Sequence, residues 1–250
     1  MQVVTIEHRS IVQGVFELRL VNRRNGHLIK IVDYNGVPCA RAEIGMNYAI
    51  HLRVKRGCNG HFPSDHLSVL TSIDSRSIGC NMRLNLSNEH ISNDIKESSK
   101  FIHGFYDDNS IHAFTFSAIK GGDTSMNNES YTKPIGCISV SIYAAERVPV
   151  PWNELQVVPQ KAQHCIPPLQ VSINEQKKFW QQPSAMTLPG EIVCSRGSKV
   201  NRTTGTCTYK RTRLLTELTL HYHTQDMMNF LSDFKQNVSM QDIFPTSKLC

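Results

Sequence analysis

The stretch Tyr48-Ala-Ile-His-Leu-Arg-Val-Lys55 sets Tyr48, Ile50, Leu52 and Val54 on one side, and His51, Arg53 and Lys55 on the other. Side chains of a β-strand point alternately to opposite faces, so a strict period of two marks a strand with one face in a core and the other in water. The same period recurs at Phe16, Leu18 and Leu20, at Leu67, Val69 and Thr71, and at Ile138, Val140 and Ile142. Turn chemistry separates these runs. Asn25-Gly26 lies between VFELRLVNRR and HLIKIVDY, Asn35-Gly36 follows, and Tyr106-Asp-Asp-Asn109 leads into the run ending at Ile119. Asn-Gly supplies the positive φ angles that tight hairpins require. Two polar stretches, 74–100 and 120–134, read as long surface loops. Several short strands with few helices predict a mainly β chain, an antiparallel β-sandwich with jelly-roll or immunoglobulin-like two-sheet packing.

One part of this pattern has a counterpart elsewhere. Phe114-x-Phe116, a polar loop and then Ile135-Gly-Cys-Ile-Ser-Val-Ser-Ile-Tyr143 resemble the closing strands of a β-sandwich domain of unknown function found in uncharacterised fungal proteins. In that family an aromatic strand, a variable loop and a Gly-started strand ending in an aromatic follow one another. The resemblance covers residues 1–148, and the stretch 74–100 departs from the family pattern. It implies a sandwich and attaches no activity to it.

Seven of the eleven prolines fall between Pro149 and Pro189. A compact domain rarely carries so long a connection without regular structure, so 149–190 reads as a linker or a surface-wrapping arm. Trp152 and Trp180 lie within it, and two tryptophans in a polar extended segment predict docking, either back on the sandwich or on a neighbouring subunit. Residues 191–250 then follow as a third part. Glu191-Ile-Val-Cys and Thr206-Cys-Thr-Tyr flank the loop SRGSKVNRTTG and predict a hairpin, and Leu214 to Thr224 reads as a strand. Met227, Met228, Phe230, Leu231 and Phe234 recur at helical spacing after Thr224, which can serve as N-cap, while Asp226 suits the positive end of the helix dipole. This third part is thin for an independent core, so it is expected to pack on the sandwich or on a neighbour's.

The composition bounds the chemistry. The formal net charge is +6, and the segment from Ile192 to Thr216 holds Arg196, Lys199, Arg202, Lys210, Arg211 and Arg213 with no acid. An anionic partner is therefore expected there first. A cationic edge also deters unwanted strand pairing, a purely structural benefit. The cysteines at 39, 58, 80, 137, 165, 194, 207 and 250 form no CxxC pair. The N-terminal residues Glu7, His8 and Arg9 stand where a signal peptide needs apolar residues, so an intracellular chain with reduced thiols is expected. No apolar run is long enough to cross a bilayer, and no membrane association is expected.

Two clusters have ligand character. His221 and His223 share one face of a strand, with Glu217 and Thr219 on that face and Asp226 close in sequence. Cys58 and His61, with His66 and Cys80, are residues zinc accepts, but their spacing matches no established knuckle. Gly122-Asp-Thr-Ser125 lacks the apolar residues and second copy an aspartic protease needs. No phosphate loop, nucleophile elbow, HExxH or dinucleotide fingerprint occurs in the sequence. The expectation is a non-enzymatic sandwich for protein interaction or assembly, a virion or cage subunit being one concrete form, with a protein partner or homo-oligomer contacting Trp152 and Trp180. Nucleic-acid or other anion binding through 192–213 is one alternative, and a metal-dependent enzyme using His221 and His223 is another. No cofactor is implied.

Overall fold

The computed structural model describes residues 5–7, 9–34, 37–55, 66–78, 82–85, 97–107, 110–119, 135–149, 184–195 and 207–237. The chain opens with β1 (Thr5–Glu7), β2 (Ser10–Gln13), β3 (Phe16–Asn22), β4 (Ile31–Tyr34), β5 (Val37–Ala42) and β6 (Asn47–Lys55). It continues through β7 (His66–Ile73), β8 (Arg76–Ser77), β9 (Met82–Asn85), β10 (Glu97–Ile102), β11 (Gly104–Tyr106) and β12 (Ser110–Ala118). Two long strands, β13 (Cys137–Pro149) and β15 (Cys207–Thr224), lie on either side of β14 (Ala185–Ser195), and α1 (Gln225–Asn237) ends the described chain.

These strands form two sheets. The first runs β1-β2-β3-β6-β12-β11, with β10 added on β6 and β14 on β12; the second runs β4-β5-β15-β13-β7-β8, with β9 added on β7. The inward sets of the alternating strands meet between them. Leu18, Leu20, Ile50, Leu52, Val54, Phe114 and Phe116 of the first sheet and Val69, Ile73, Ile138, Val140, Ile142, Leu218 and Leu220 of the second belong to one buried core. Tyr48 stacks on Phe116 at 4.3 Å, and Phe116 meets Tyr222 of the other sheet at 5.0 Å. On the outward side Arg53 reaches Glu17 across the β3–β6 pair at 3.1 Å. The expected mainly β sandwich is the observed architecture, with α1 the one helix among the described residues.

Four local expectations change. First, β15 joins β13 antiparallel and β5 parallel, so one described pair breaks the antiparallel rule. Second, residues 1–148 do not close the sandwich alone, because β15 fills the gap between β5 and β13. The C-terminal part is built into the second sheet, since Leu218, Leu220 and Tyr222 bury their side chains completely there. Third, β14 begins at Ala185, inside the stretch expected to be an arm. Its Pro189 faces Phe114 beside a register shift, and proline, which cannot donate to a ladder, is tolerated on such an outer strand next to a bulge. Fourth, the polar stretch 74–100 contains β8, β9 and the start of β10.

The turns and helix follow their chemistry. Tyr34 pairs with Val37 across Asn35-Gly36, although those two residues lie outside the described set. The helix starts where Thr224 Oγ1 accepts the N–H of Met227 at 3.5 Å, with Asp226 in the first turn. Met228 is buried, and its carbonyl accepts the Tyr34 hydroxyl at 2.7 Å, which fastens α1 to β4.

Candidate functional site

The long β13–β15 ribbon carries the most distinctive surface. It pairs from Cys137 opposite His221 to Pro149 opposite Cys207, with register shifts at Ile142/Tyr143 and Tyr143/Ala145. At the shift, Thr212 Oγ1 donates to the Ala144 carbonyl at 3.2 Å. Up to Ala145 the ribbon is flanked by β7, whose last paired residue is His66. Beyond it Arg147 lies opposite Tyr209, and Glu146 opposite Lys210.

Cations and rings interleave on the outward face here. The Arg83 guanidinium, from β9, lies over the Tyr209 ring at 4.6 Å, and His66 meets the same ring edge-on at 4.9 Å and 74°. Arg211 lies over Tyr143 at 5.9 Å. Arg83, Arg147, Lys210, Arg211 and Arg213 are all exposed. A guanidinium near a ring face contributes roughly 0.5–1 kcal/mol at such a surface, and it also restrains a flexible cation. Glu217, held by Ser139 Oγ at 2.7 Å, marks the acidic limit of the face.

The sequence-based candidates divide accordingly. Lys210, Arg211 and Arg213 lie on β15, where Arg211 shares the face of Tyr209 and Lys210, between them, points to the other. Arg196, Lys199 and Arg202 lie outside the described residues, as do Trp152 and Trp180. The expected hairpin between 191–194 and 206–209 does not form: β14 pairs with β12 in the first sheet, and β15 pairs with β13 in the second. The reason is burial, because β13 offers Ile138, Val140 and Ile142 to the inward residues of β15. Arg83, Tyr143, Arg147 and His66 were not expected at a common surface. They come from β7, β9 and β13, and no reading of one segment brings them together.

His221 and His223 do share one face of β15, as their spacing predicts. His223 is 7% exposed. Ser184 Oγ accepts the Thr224 N–H at 2.9 Å and stands within hydrogen-bond reach of His223 Nδ1 at 3.2 Å. Burial, with a smaller contribution from His221, pushes the His223 pKa down to about 4, and burial lowers that of His221. His221 stands in register between Cys137 and Cys39. Burial raises these thiols to about 11 and about 12, so both stay protonated rather than becoming the thiolates a metal prefers. Among the described residues no group of three or more His, Cys, Asp or Glu side chains is placed to hold a metal ion. Cys58, His61 and Cys80 lie outside the described residues, and His66 is engaged with Tyr209.

The His223 environment has a measurable consequence. Above the unfolded pKa of about 6.5 the imidazole is neutral in both states and costs nothing. Below it the unfolded chain gains a proton that the folded chain refuses until about pH 4. Stability is therefore lost as pH falls through this window, by about 2 kcal/mol between pH 7 and pH 5. Urea titrations of the native chain and of His223→Gln at both pH values check this. The native chain is expected to lose the larger amount, and equal losses would refute the assignment.

A second polar cluster lies inside the sandwich. Asp74 Oδ1 accepts the Gly136 N–H at 2.7 Å, and Oδ2 accepts the Thr187 N–H at 2.8 Å. The Tyr222 hydroxyl is 2.7 and 2.8 Å from the two oxygens. Arg76 Nη2 stands 3.7 Å from Oδ2 and donates to the Thr187 carbonyl. Burial pushes the Asp74 carboxyl up, while the Thr187, Tyr222, Gly136 and Cys137 donors draw it partly back. With its acceptor sites filled, this carboxylate ties strands together and has no position left for a substrate.

No protein-family model matches this chain, and neither a curated protein nor a solved structure resembles it detectably. No helix among the described residues is long and apolar enough to cross a membrane.

Proposed function

We propose that this chain is a non-enzymatic β-sandwich protein for interaction, with the outward face of the β13–β15 ribbon as its working surface and an anionic partner as its target. One observation carries the reading. Three strands distant in sequence deliver Arg83, Arg147 and Arg211 to a single face together with Tyr143 and Tyr209. A solvated basic surface needs only charge, whereas rings placed under guanidinium groups preorganise cations for contact. Assembly of copies, as in a cage or virion subunit, is the second form of the proposal. It draws support from the exposed apolar side chains Ile192, Leu214 and Phe230. An intracellular setting accords with the buried, free thiols of Cys39 and Cys137.

Replacing Arg83, Arg147 and Arg211 together by Ser tests the main reading. The variant is expected to leave immobilised heparin at clearly lower salt than the native chain, with an unchanged circular dichroism spectrum. Identical elution of the two proteins would refute the proposal.

A further inference from the structure

We infer that the partner of the ribbon face is single-stranded nucleic acid, an inference that rests on the anionic-partner reading above and names its chemical class. Charge alone would serve any polyanion. What singles out nucleic acid here is the pairing of each ring with an arginine. Arg83 lies over Tyr209 and Arg211 lies near Tyr143, and both arginines are exposed. A guanidinium is planar, weakly hydrated and delocalised, so an arginine beside a tyrosine ring gives a base two π surfaces on which to stack. Bases in a duplex are already stacked on one another, so these platforms serve a strand whose bases are free.

The spacing suits such a strand. Tyr143 and Arg147, the latter opposite Tyr209, are four residues apart on β13, a separation of about 13 Å along the strand. A base beside each ring leaves sugar-phosphate to run between them, beside the exposed Arg147. Phosphate contacts to the arginines give affinity without sequence preference, and the stacked bases give preference for single strands over other polyanions. Glu217 bounds the track at one end, while Glu146 and Lys210, opposite each other, point to the other face of the ribbon. Net attraction therefore rests on the arginines.

The test uses the full chain and a fluorescein-labelled oligothymidylate of about 20 nucleotides, read by anisotropy across a salt series, with a duplex of equal length and heparin as comparators. Expected is binding whose logarithm falls linearly with log salt, by about 0.7 per phosphate contact, and weaker binding of the duplex at each salt. The pair Arg83→Lys and Arg211→Lys keeps the charge and removes the planes. It is expected to bind the oligonucleotide roughly tenfold more weakly while leaving heparin at unchanged salt. Tyr143→Leu with Tyr209→Leu is expected to do the same. If the lysine variant binds the oligonucleotide as the native chain does, or the duplex binds as tightly as the single strand, the inference is overturned while the anionic-partner reading stands. If the native chain retains neither oligonucleotide nor heparin at low salt, both fall.

Discussion

Asp74→Ala is expected to destabilise the fold by about 3–5 kcal/mol, read as a drop in the urea midpoint at pH 7. Asp74 and Ser75 form the two-residue turn between β7 and β8, both with positive φ, and Ile73 faces Arg76 across it. That turn sends the carboxylate inward rather than to solvent. There it receives donors from both sheets: Gly136 and Tyr222 in or beside the second, Thr187 in the first. Thr187 extends the chain of contacts to Tyr48 at 2.9 Å, so four strands and a turn meet at one group. Removing the carboxylate orphans several buried donors at once and leaves the Arg76 guanidinium, 9% exposed, without its counter-charge. Tyr222→Phe, which deletes one donor and keeps the ring, is expected to cost only about 1 kcal/mol. Asp74→Ala combined with Arg76→Met is expected to cost less than the sum of the single changes, because the uncompensated cation disappears with its partner. An Asp74→Ala loss below about 1 kcal/mol would refute the role of this cluster as the tie between the sheets.

Why the sheets were legible and the ties were not follows from range. Tyr48 to Lys55 could be read because alternation is a local property, and the inward residues Tyr48, Ile50, Leu52 and Val54 are indeed at most 1% exposed. The helix after Thr224 was legible for the same reason, with cap and apolar stripe inside one short segment. The parallel pairing of His221 with Cys39 was not. Parallel neighbours are joined by no turn, so nothing nearby in sequence marks their register. β10 reads ESSKFI, with no alternation: it is an added strand on β6 in which Ser99, Lys100 and Phe101 are all exposed and Ile102 is buried. β14 was hidden by Pro189-Gly190, a pair that signals a linker until an outer strand with a bulge is seen to hold it. The candidate surface was half legible: Arg211 belongs to a cationic run visible in sequence, whereas Arg83, Tyr143 and Arg147 join it only through the stacking order of β9, β7, β13 and β15. Asp74 carried no signal, since an acid followed by serine between strands reads as an ordinary solvated turn.

Gly104→Ala is expected to cost about 3 kcal/mol, although a glycine-to-alanine change at an ordinary φ usually stabilises by restricting the unfolded chain. Gly104 opens β11 and pairs with Ala113 of β12. A Cβ built there would lie 2.0 Å from the His112 carbonyl oxygen and 2.6 Å from its carbon. Both are backbone atoms within a sheet, so no side-chain rotation relieves the clash and β11 must move away from β12. Such a shift would carry Phe105 with it. That side chain is fully buried, meets Phe114 edge-on at 4.9 Å and 85°, and lies under the Arg76 guanidinium at 5.4 Å. The strain therefore reaches the same arginine that faces Asp74, and the two sites are expected to couple. Gly26 provides the contrast: its φ is +70° and nothing stands within 4 Å of a Cβ placed there. Gly26→Ala meets backbone strain alone, at a cost of about 1 kcal/mol. Thermal unfolding of the two variants side by side separates the causes. If Gly104→Ala melts at or above the native temperature, the close approach of β11 to β12 is not what requires glycine at this position.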